Sequence, residues 1–400
     1  MRGATRLEVG RRAVVLVLDG VGAGAAVDAD RFGDAGADTL GHVAAAVGGL
    51  RLPALERLGL GAIAPLAGVA VPERPAALVG RLAERSAAKD TTTGHWELMG
   101  CRTDVAPPTY PGGFPPEVMD AFAAAIGRGW LCNAPASGTQ VLEDFGAEHL
   151  RTGDPIVYTS GDSVFQVAAH EEVMSREELY AACAAARAIL AGPHAVSRVI
   201  ARPFGGRLGA FARDAGGRKD LSLPPSGPTA LDRLTDAGVP VHGVGKIAQV
   251  FAGRGVAGDH PTAGNAEGMA AVVTLLGELE AGLVFANLID FDQLYGHRND
   301  VEGFAACLEE LDAALPALLD ALRPGDLLAI TADHGNDPTI PSTDHNREWV
   351  PLLVHVAGWD PAGARWVGEY GDLGQTVLAR LAPRASRAGL SGRPIPLAGA

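Results

Sequence analysis

Six carboxylate and imidazole side chains and one block of threonines carry the chemistry in this sequence. Asp333-His334-Gly-Asn-Asp337 sets an oxygen and a nitrogen donor side by side, a pairing suited to Zn²⁺ or Mn²⁺. Eleven residues beyond His334, Thr343-Asp344-His345 adds an imidazole, and Asp292 with His297 adds a carboxylate and another imidazole. With Asp19 these make six oxygen and nitrogen ligands, enough for most of two metal sites. Lys89-Asp-Thr91-Thr-Thr-Gly94-His-Trp-Glu97 is the other dense segment. It reads as a Thr cap and a Gly turn before a helix entering at Trp96–Met99. It also reads as a hydroxyl nucleophile at a helix N-terminus, where backbone N–H groups favour an anion. A threonine hydroxyl attacks poorly near neutral pH unless a base or a metal activates it. Three consecutive threonines leave the choice among them open.

Residues so far apart need elements that bring them together. The runs Ala13–Asp19, Leu283–Asp290 and Leu327–Asp333 are apolar and each finishes on aspartate. Short apolar runs of this kind predict buried parallel strands. In an open α/β sheet the ligand crevice lies beyond the carboxyl ends of the strands. Gly335 would permit a tight turn after the third run. Pro/Gly-rich stretches at Pro107–Pro116 and Leu223–Pro228 break the βα rhythm, as loops and domain boundaries do. Between them the pattern predicts a helix near Glu117–Ala125, a strand at Ile156–Tyr158, an Ala-rich helix at Arg176–Leu190 and a strand at Arg198–Arg202. The expected architecture is α/β: a core of 1–104 plus 222–400, with a mostly parallel sheet flanked by helices, and an inserted α/β cap at 105–221.

Composition narrows the function classes. With 47% hydrophobic residues among 400, the chain reads as a soluble globular protein. No apolar run reaches the length of a membrane span, and Met1-Arg-Gly-Ala-Thr-Arg lacks a signal-peptide pattern, so a cytoplasmic location is expected. Cys101, Cys132, Cys183 and Cys307 are scattered, as structural thiols in a reducing compartment would be. A formal charge of −14 argues against nucleic acid as a partner. It also means that an anionic substrate needs locally concentrated positive charge. Against 30 arginines the three lysines, Lys89, Lys219 and Lys246, stand out.

Motifs along nearly the whole chain resemble the phosphopentomutases, a metal-dependent branch of the alkaline phosphatase superfamily. They include Asp19-Gly-Val-Gly-Ala-Gly24, Phe32–His42, Lys89–Gly100, Pro135–Thr139, Ile156–Ser163, Ala169–Glu172 and Val199–Phe204. Gly245-Lys-Ile247, Asp290–Arg298, Thr331–Pro338 and Thr343–Glu348 follow. The resemblance implies an alkaline-phosphatase-like core and a phosphorylated threonine at Thr91. It places the metal ligands on Asp19, Asp292, His297, Asp333, His334 and His345, and leaves Asp290 as a strand-end residue. Phosphosugar contacts would fall on Ser160, Asp162, Arg202, Arg218 and Lys246. Thr92 stands where Met or Pro is familiar, and Gly20 where Ser is common; His42 and His95 sit in matching motifs without being ligands. Asp38 would cap a turn.

The activity so implied interconverts ribose 1-phosphate, or its 2-deoxy counterpart, with the 5-phosphate through a 1,5-bisphosphate. Two Mn²⁺ ions and a sugar bisphosphate primer such as glucose 1,6-bisphosphate would be required. Pentose phosphates would be the only partners of a monomer or weak oligomer. A cap that excludes water would protect the phosphothreonine from hydrolysis. Two other readings are a phosphatase or phosphodiesterase of the same superfamily and a catalytically silent sugar-phosphate-binding protein. A phosphoglycerate mutase would share the core but uses a serine nucleophile in a different local sequence.

Overall fold

The computed structural model describes residues 11–160, 163–214 and 216–397. Two units are distinct: one comprises the described residues up to Val105 and from Pro225 onward, the other Ala106–Pro224. Strands β1 (Arg12–Leu18) and β2 (Leu78–Ala83) open the first unit. The second unit holds β3 (Leu131–Pro135), β4 (Ile156–Thr159), β5 (Val164–His170), β6 (Arg198–Arg207), β7 (Ala210–Arg213) and β8 (Lys219–Ser222). The first unit resumes with β9 (Val241–Val244), β10 (Gly258–His260), β11 (Gly282–Leu288), β12 (Leu327–Thr331), β13 (Val350–Val356) and β14 (Arg365–Glu369).

In the first unit eight strands run in the order β10-β9-β11-β1-β12-β13-β2-β14. Pairing is parallel except around β13, which is antiparallel to both β12 and β2. β1, β11 and β12 are buried at every position. That is why they read as continuous apolar runs rather than alternating ones: both faces of these strands are covered. The three apolar runs of the sequence are therefore neighbours, with β1 between β11 and β12.

The second unit has its own sheet, β3-β4-β5-β6-β7, with β8 also pairing with β6. Here the period of two in a strand is visible in the packing. Val157, Phe165, Val167 and Val199 join one core with residues of the helices Pro116–Ile126 and Arg176–Ile189. Ile156, Tyr158 and Ala168 join another, against the helix Gln140–Thr152. Ser175 and Glu178 form a reciprocal capping box that starts the helix Arg176–Ile189. The strand expected at Arg198–Arg202 extends to Arg207, where β7 pairs with Phe204–Arg207, while β8 pairs with Arg198–Ala201. No helix among the described residues is long and apolar enough to cross a membrane.

Candidate metal centre

Parallel register fixes where the aspartates fall. Leu18 pairs with Leu288, and Val17 with both Asn287 and Thr331; the Asp19 N–H then donates to the Leu288 carbonyl at 3.1 Å. Asp19, Asp290 and Asp333 thus lie just beyond the carboxyl ends of three adjacent strands. After β11 the chain makes a π turn over Phe291–Tyr295 and a 3₁₀ turn over Gly296–Arg298. The wider π turn suits residues five apart, and His297 Nε2 sits 3.2 Å from Asp292 Oδ2.

The six donors form two groups of three. Asp292, His297 and His345 make one and Asp19, Asp333 and His334 the other, each with its ligand atoms within 4.8 Å of one another. In the first group His345 Nε2 lies 3.2 Å from His297 Nε2 and 3.4 Å from Asp292 Oδ1. In the second, His334 Nε2 lies 3.3 Å from Asp19 Oδ1 and 3.4 Å from Asp333 Oδ2. The His334 and His345 rings stack with centroids 3.9 Å apart, so the groups adjoin.

The surroundings fit cations. Asp19 Oδ1 and Asp333 Oδ2 are buried without a hydrogen-bond partner, an expensive state unless another charge is supplied. Burial, and then the neighbouring Asp333 and Asp292 carboxylates, push the Asp19 carboxyl up. Burial alone would lower His297, but the Asp292 carboxylate raises it to about 9. His297 Nδ1 faces the Thr343 carbonyl at 2.6 Å and His334 Nδ1 the Gly335 carbonyl at 3.1 Å. With those nitrogens as donors, each Nε2 lone pair turns to the centre.

Residues outside the expected ligand set hold the donors in place. The Asn336 amide donates to Asp292 Oδ1 at 2.6 Å, and that of Asn287 to Asp19 Oδ2 at 3.0 Å. The Gly20 N–H donates to Asp333 Oδ1 at 3.2 Å. His95 is fully buried; its Nδ1 contacts the Thr91 carbonyl at 2.8 Å and lies 3.1 Å from Asp333 Oδ2. Nothing local marks these amides. They become neighbours of the carboxylates only through strand register and the turn at Gly335. Asp290 instead accepts from the Asn265 N–H at 2.7 Å, at the start of the helix Asn265–Glu278.

The threonine block differs from its sequence reading. The helix spans Thr91–Leu98, and its cap is Asp90, which accepts from the N–H groups of Thr92 and Thr93 at 2.9 and 3.2 Å. A carboxylate outcompetes a threonine as cap here, and two of the amides expected to face an anion are already taken. The Thr93 hydroxyl turns back to Asp90 at 3.1 Å, whereas Thr91 Oγ1 lies 3.2 Å from His334 Nε2. Gly94 sits inside this helix because a Cβ there would meet the Asp333 carbonyl at 2.3 Å. Gly335 likewise answers a need for space, since a Cβ would fall 2.3 Å from Glu348 Oε1. Lys89 Nζ pairs with Asp34 at 2.9 Å, and Asp34 also accepts from the Arg347 N–H at 2.8 Å. This ties the threonine segment to the loop that carries His345.

The remaining expected contacts are dispersed. Ser160 follows β4, Arg202 lies on β6 and Arg218 just precedes β8, all in the second unit. Lys246 follows β9 in the first unit. Arg202 Nε donates to Gln166 Oε1 at 3.1 Å. Arg218 forms a two-pronged pair with Asp220, both contacts 2.7 Å. Asp162 lies outside the described residues. Asp38 caps the helix Thr39–Ala46 by accepting from Gly41 N–H at 3.1 Å, and His42 Nδ1 meets Asp337 Oδ2 at 2.6 Å.

Comparison with known proteins converges on one family. The profile of the metalloenzyme superfamily matches residues 11–384. A phosphopentomutase of Anaeromyxobacter sp. (strain K) is 56% identical over 368 residues, covering 92% of this chain and 94% of that one. A phosphopentomutase of Caldanaerobacter subterraneus subsp. tengcongensis is 53% identical over 345 residues, covering 86% and 87%. In fold, the chain is similar to the phosphoglycerate mutase of Leishmania mexicana, with a TM-score of 0.50 at 13% identity over 98% of each chain. The core is alkaline-phosphatase-like, and by sequence similarity over most of its length the chain belongs to the phosphopentomutases, mutases of the metalloenzyme superfamily.

Proposed function

We propose that this phosphopentomutase moves a phosphoryl group between the 1- and 5-positions of ribose or 2-deoxyribose through a phosphorylated Thr91. One observation carries the reading: Thr91 Oγ1 lies 3.2 Å from His334 Nε2, beside two adjoining sets of three metal-type donors. Asp19, Asp333 and His334 would hold one divalent ion, and Asp292, His297 and His345 the other; Mn²⁺ suits so mixed a nitrogen and oxygen set. Such ions, when bound, neutralise charge on a transferring phosphoryl group and make a nearby hydroxyl easier to ionise.

The chain's own residues supply the rest. Asp90 fixes the first turn of the Thr91–Leu98 helix, and His95 holds the Thr91 carbonyl next to Asp333. Phospho-Thr91 gives its group to the free hydroxyl of a sugar monophosphate; the Oγ–P bond breaks, a 1,5-bisphosphate forms and the hydroxyl proton is released. Thr91 Oγ1 then takes the other phosphoryl group, and the isomeric monophosphate leaves. Ser160, Asp162, Arg202, Arg218 and Lys246 would hold the sugar and its second phosphate, with planar arginines suited to phosphate oxygens. A sugar bisphosphate such as glucose 1,6-bisphosphate would prime the enzyme, and a cytoplasmic monomer or weak oligomer is the form proposed.

Mass spectrometry tests the covalent step. Mn²⁺-loaded protein treated with glucose 1,6-bisphosphate should carry one phosphoryl group on the peptide containing Thr91, and Thr91→Ala should carry none. A phosphoryl group on Thr92 or Thr93, or none at all, would reject the assignment.

A further inference from the structure

The proposed reaction uses the carboxyl edge of the eight-stranded sheet. The opposite, amino edge of the same strands carries a feature that it leaves unused. Arg11, Pro240 and Ala281 each stand one residue before a strand, namely β1, β9 and β11. With Arg233, Asp236, Ala237, Val239 and the segment Arg380–Ser386 they line an open cavity of about 740 Å³. That volume lies within the usual range for small-ligand pockets. Arg11 and Asp19 bracket the seven residues of β1, so the cavity lies roughly 26 Å from Asp19 along the strand.

Four guanidinium groups line this cavity, from Arg11, Arg233, Arg380 and Arg384, in a protein whose formal charge is −14. The acid among the lining residues is Asp236, 3.9 Å from Arg233. Nearby Glu280 pairs with Arg323 at 3.4 Å instead. Arg233 donates to the Ala388 carbonyl at 2.9 Å and Arg380 to the Gly325 carbonyl at 2.6 Å. Those carbonyls fix the two side chains without neutralising them. The Nε atoms of both are buried with no hydrogen-bond partner among the described residues. Burial, and then the nearby Arg11, lowers the pKa of Arg380. Four guanidiniums with Asp236 beside Arg233 and Asp326 near Arg380 still leave an excess of positive charge that favours an anion, and guanidinium forks match phosphate oxygens two at a time. Val239, Pro240, Leu381 and Pro383 supply an apolar wall beside them.

We propose that this cavity is a nucleoside phosphate site, separate from the catalytic centre, with the phosphates on the arginines and the base against the apolar wall. Elsewhere the negative charge of the protein disfavours such a ligand, which makes the arginine cluster selective for it.

Full-length, metal-loaded enzyme, saturated with ribose 5-phosphate to fill the catalytic centre, is titrated with the fluorescent probe trinitrophenyl-ADP and then with ADP. Saturable binding that ADP reverses is expected. The exposed pair Arg11→Gln/Arg384→Gln should weaken it about tenfold, and Arg380→Gln/Arg384→Gln likewise, with the mutase rate unchanged in the first pair. The first pair guards against misfolding caused by loss of the Arg380 contact to Gly325. Absence of saturable binding, wild-type affinity retained in both double variants, or displacement by inorganic phosphate as readily as by ADP would each overturn the proposal.

Discussion

His95 shows how much a site depends on residues that are not ligands. One ring nitrogen reaches both the Thr91 carbonyl and the Asp333 carboxylate, and its other nitrogen is buried without a partner. Burial alone would lower the pKa of this ring, but the adjacent Asp333 carboxylate outweighs it and raises it. Such a ring locks the start of the Thr91–Leu98 helix to one metal-type carboxylate. Partners of metal ligands commonly contribute 10- to 100-fold in metal affinity or activity. We expect His95→Ala to lower kcat by roughly that factor, with weaker Mn²⁺ affinity and little change in KM. Unchanged kcat and metal affinity in a folded variant would remove His95 from the account. At this scale the sequence was legible where donors stand in contiguous pairs, as in Asp333-His334. It was silent on Asn287 and Asn336, whose amides have no signature until strand register sets them against Asp19 and Asp292.

Among elements, Glu348 links three loops at the carboxyl edge of the sheet. Its buried carboxylate accepts from the Gly24 and Thr39 N–H groups at 3.2 and 2.9 Å and contacts the Thr39 hydroxyl at 2.6 Å. The loop after β1 closes on it so tightly that a Cβ at Gly22 would fall 2.2 Å from its Oε2. Burial pushes this carboxyl up from 4.5 to about 8. The folded protein thus keeps a proton that the unfolded chain releases above its ordinary pKa. The resulting stability is fully present below pH 4.5 and is lost as pH rises towards 8. Glu348→Gln, which keeps the shape without the titration, should flatten this dependence. Between pH 5 and pH 9 wild type should lose on the order of 4 kcal/mol relative to the variant in denaturant melts. Parallel pH profiles for the two proteins would contradict this. The strands at this scale were readable because β1, β11 and β12 are buried on both faces. The start of the helix at Thr91 was not, since Asp90 and three threonines all make plausible caps and only the fold selects one.

For the whole molecule, the parallel sheet brings donors more than 300 residues apart in sequence, such as Asp19 and Asp333, to within a hydrogen bond of one turn: the Gly20 N–H donates to Asp333 Oδ1 at 3.2 Å. That sheet was legible as three apolar runs ending in aspartate, and β1 pairing in parallel with both β11 and β12 bears it out. The settings of the Arg202 and Arg218 side chains were not legible, because contacts to Gln166 and Asp220 fix them. In the reaction proposed, this site transfers phosphoryl groups between sugar positions and does not release them to water. That reaction is tested most directly by following ribose 1-phosphate with Mn²⁺ and a trace of glucose 1,6-bisphosphate, measuring ribose 5-phosphate and free phosphate together in wild type and Thr91→Ala. Isomer with little free phosphate, lost in the variant, is expected; free phosphate as the main product, or isomer that persists without Thr91, would rule the reaction out.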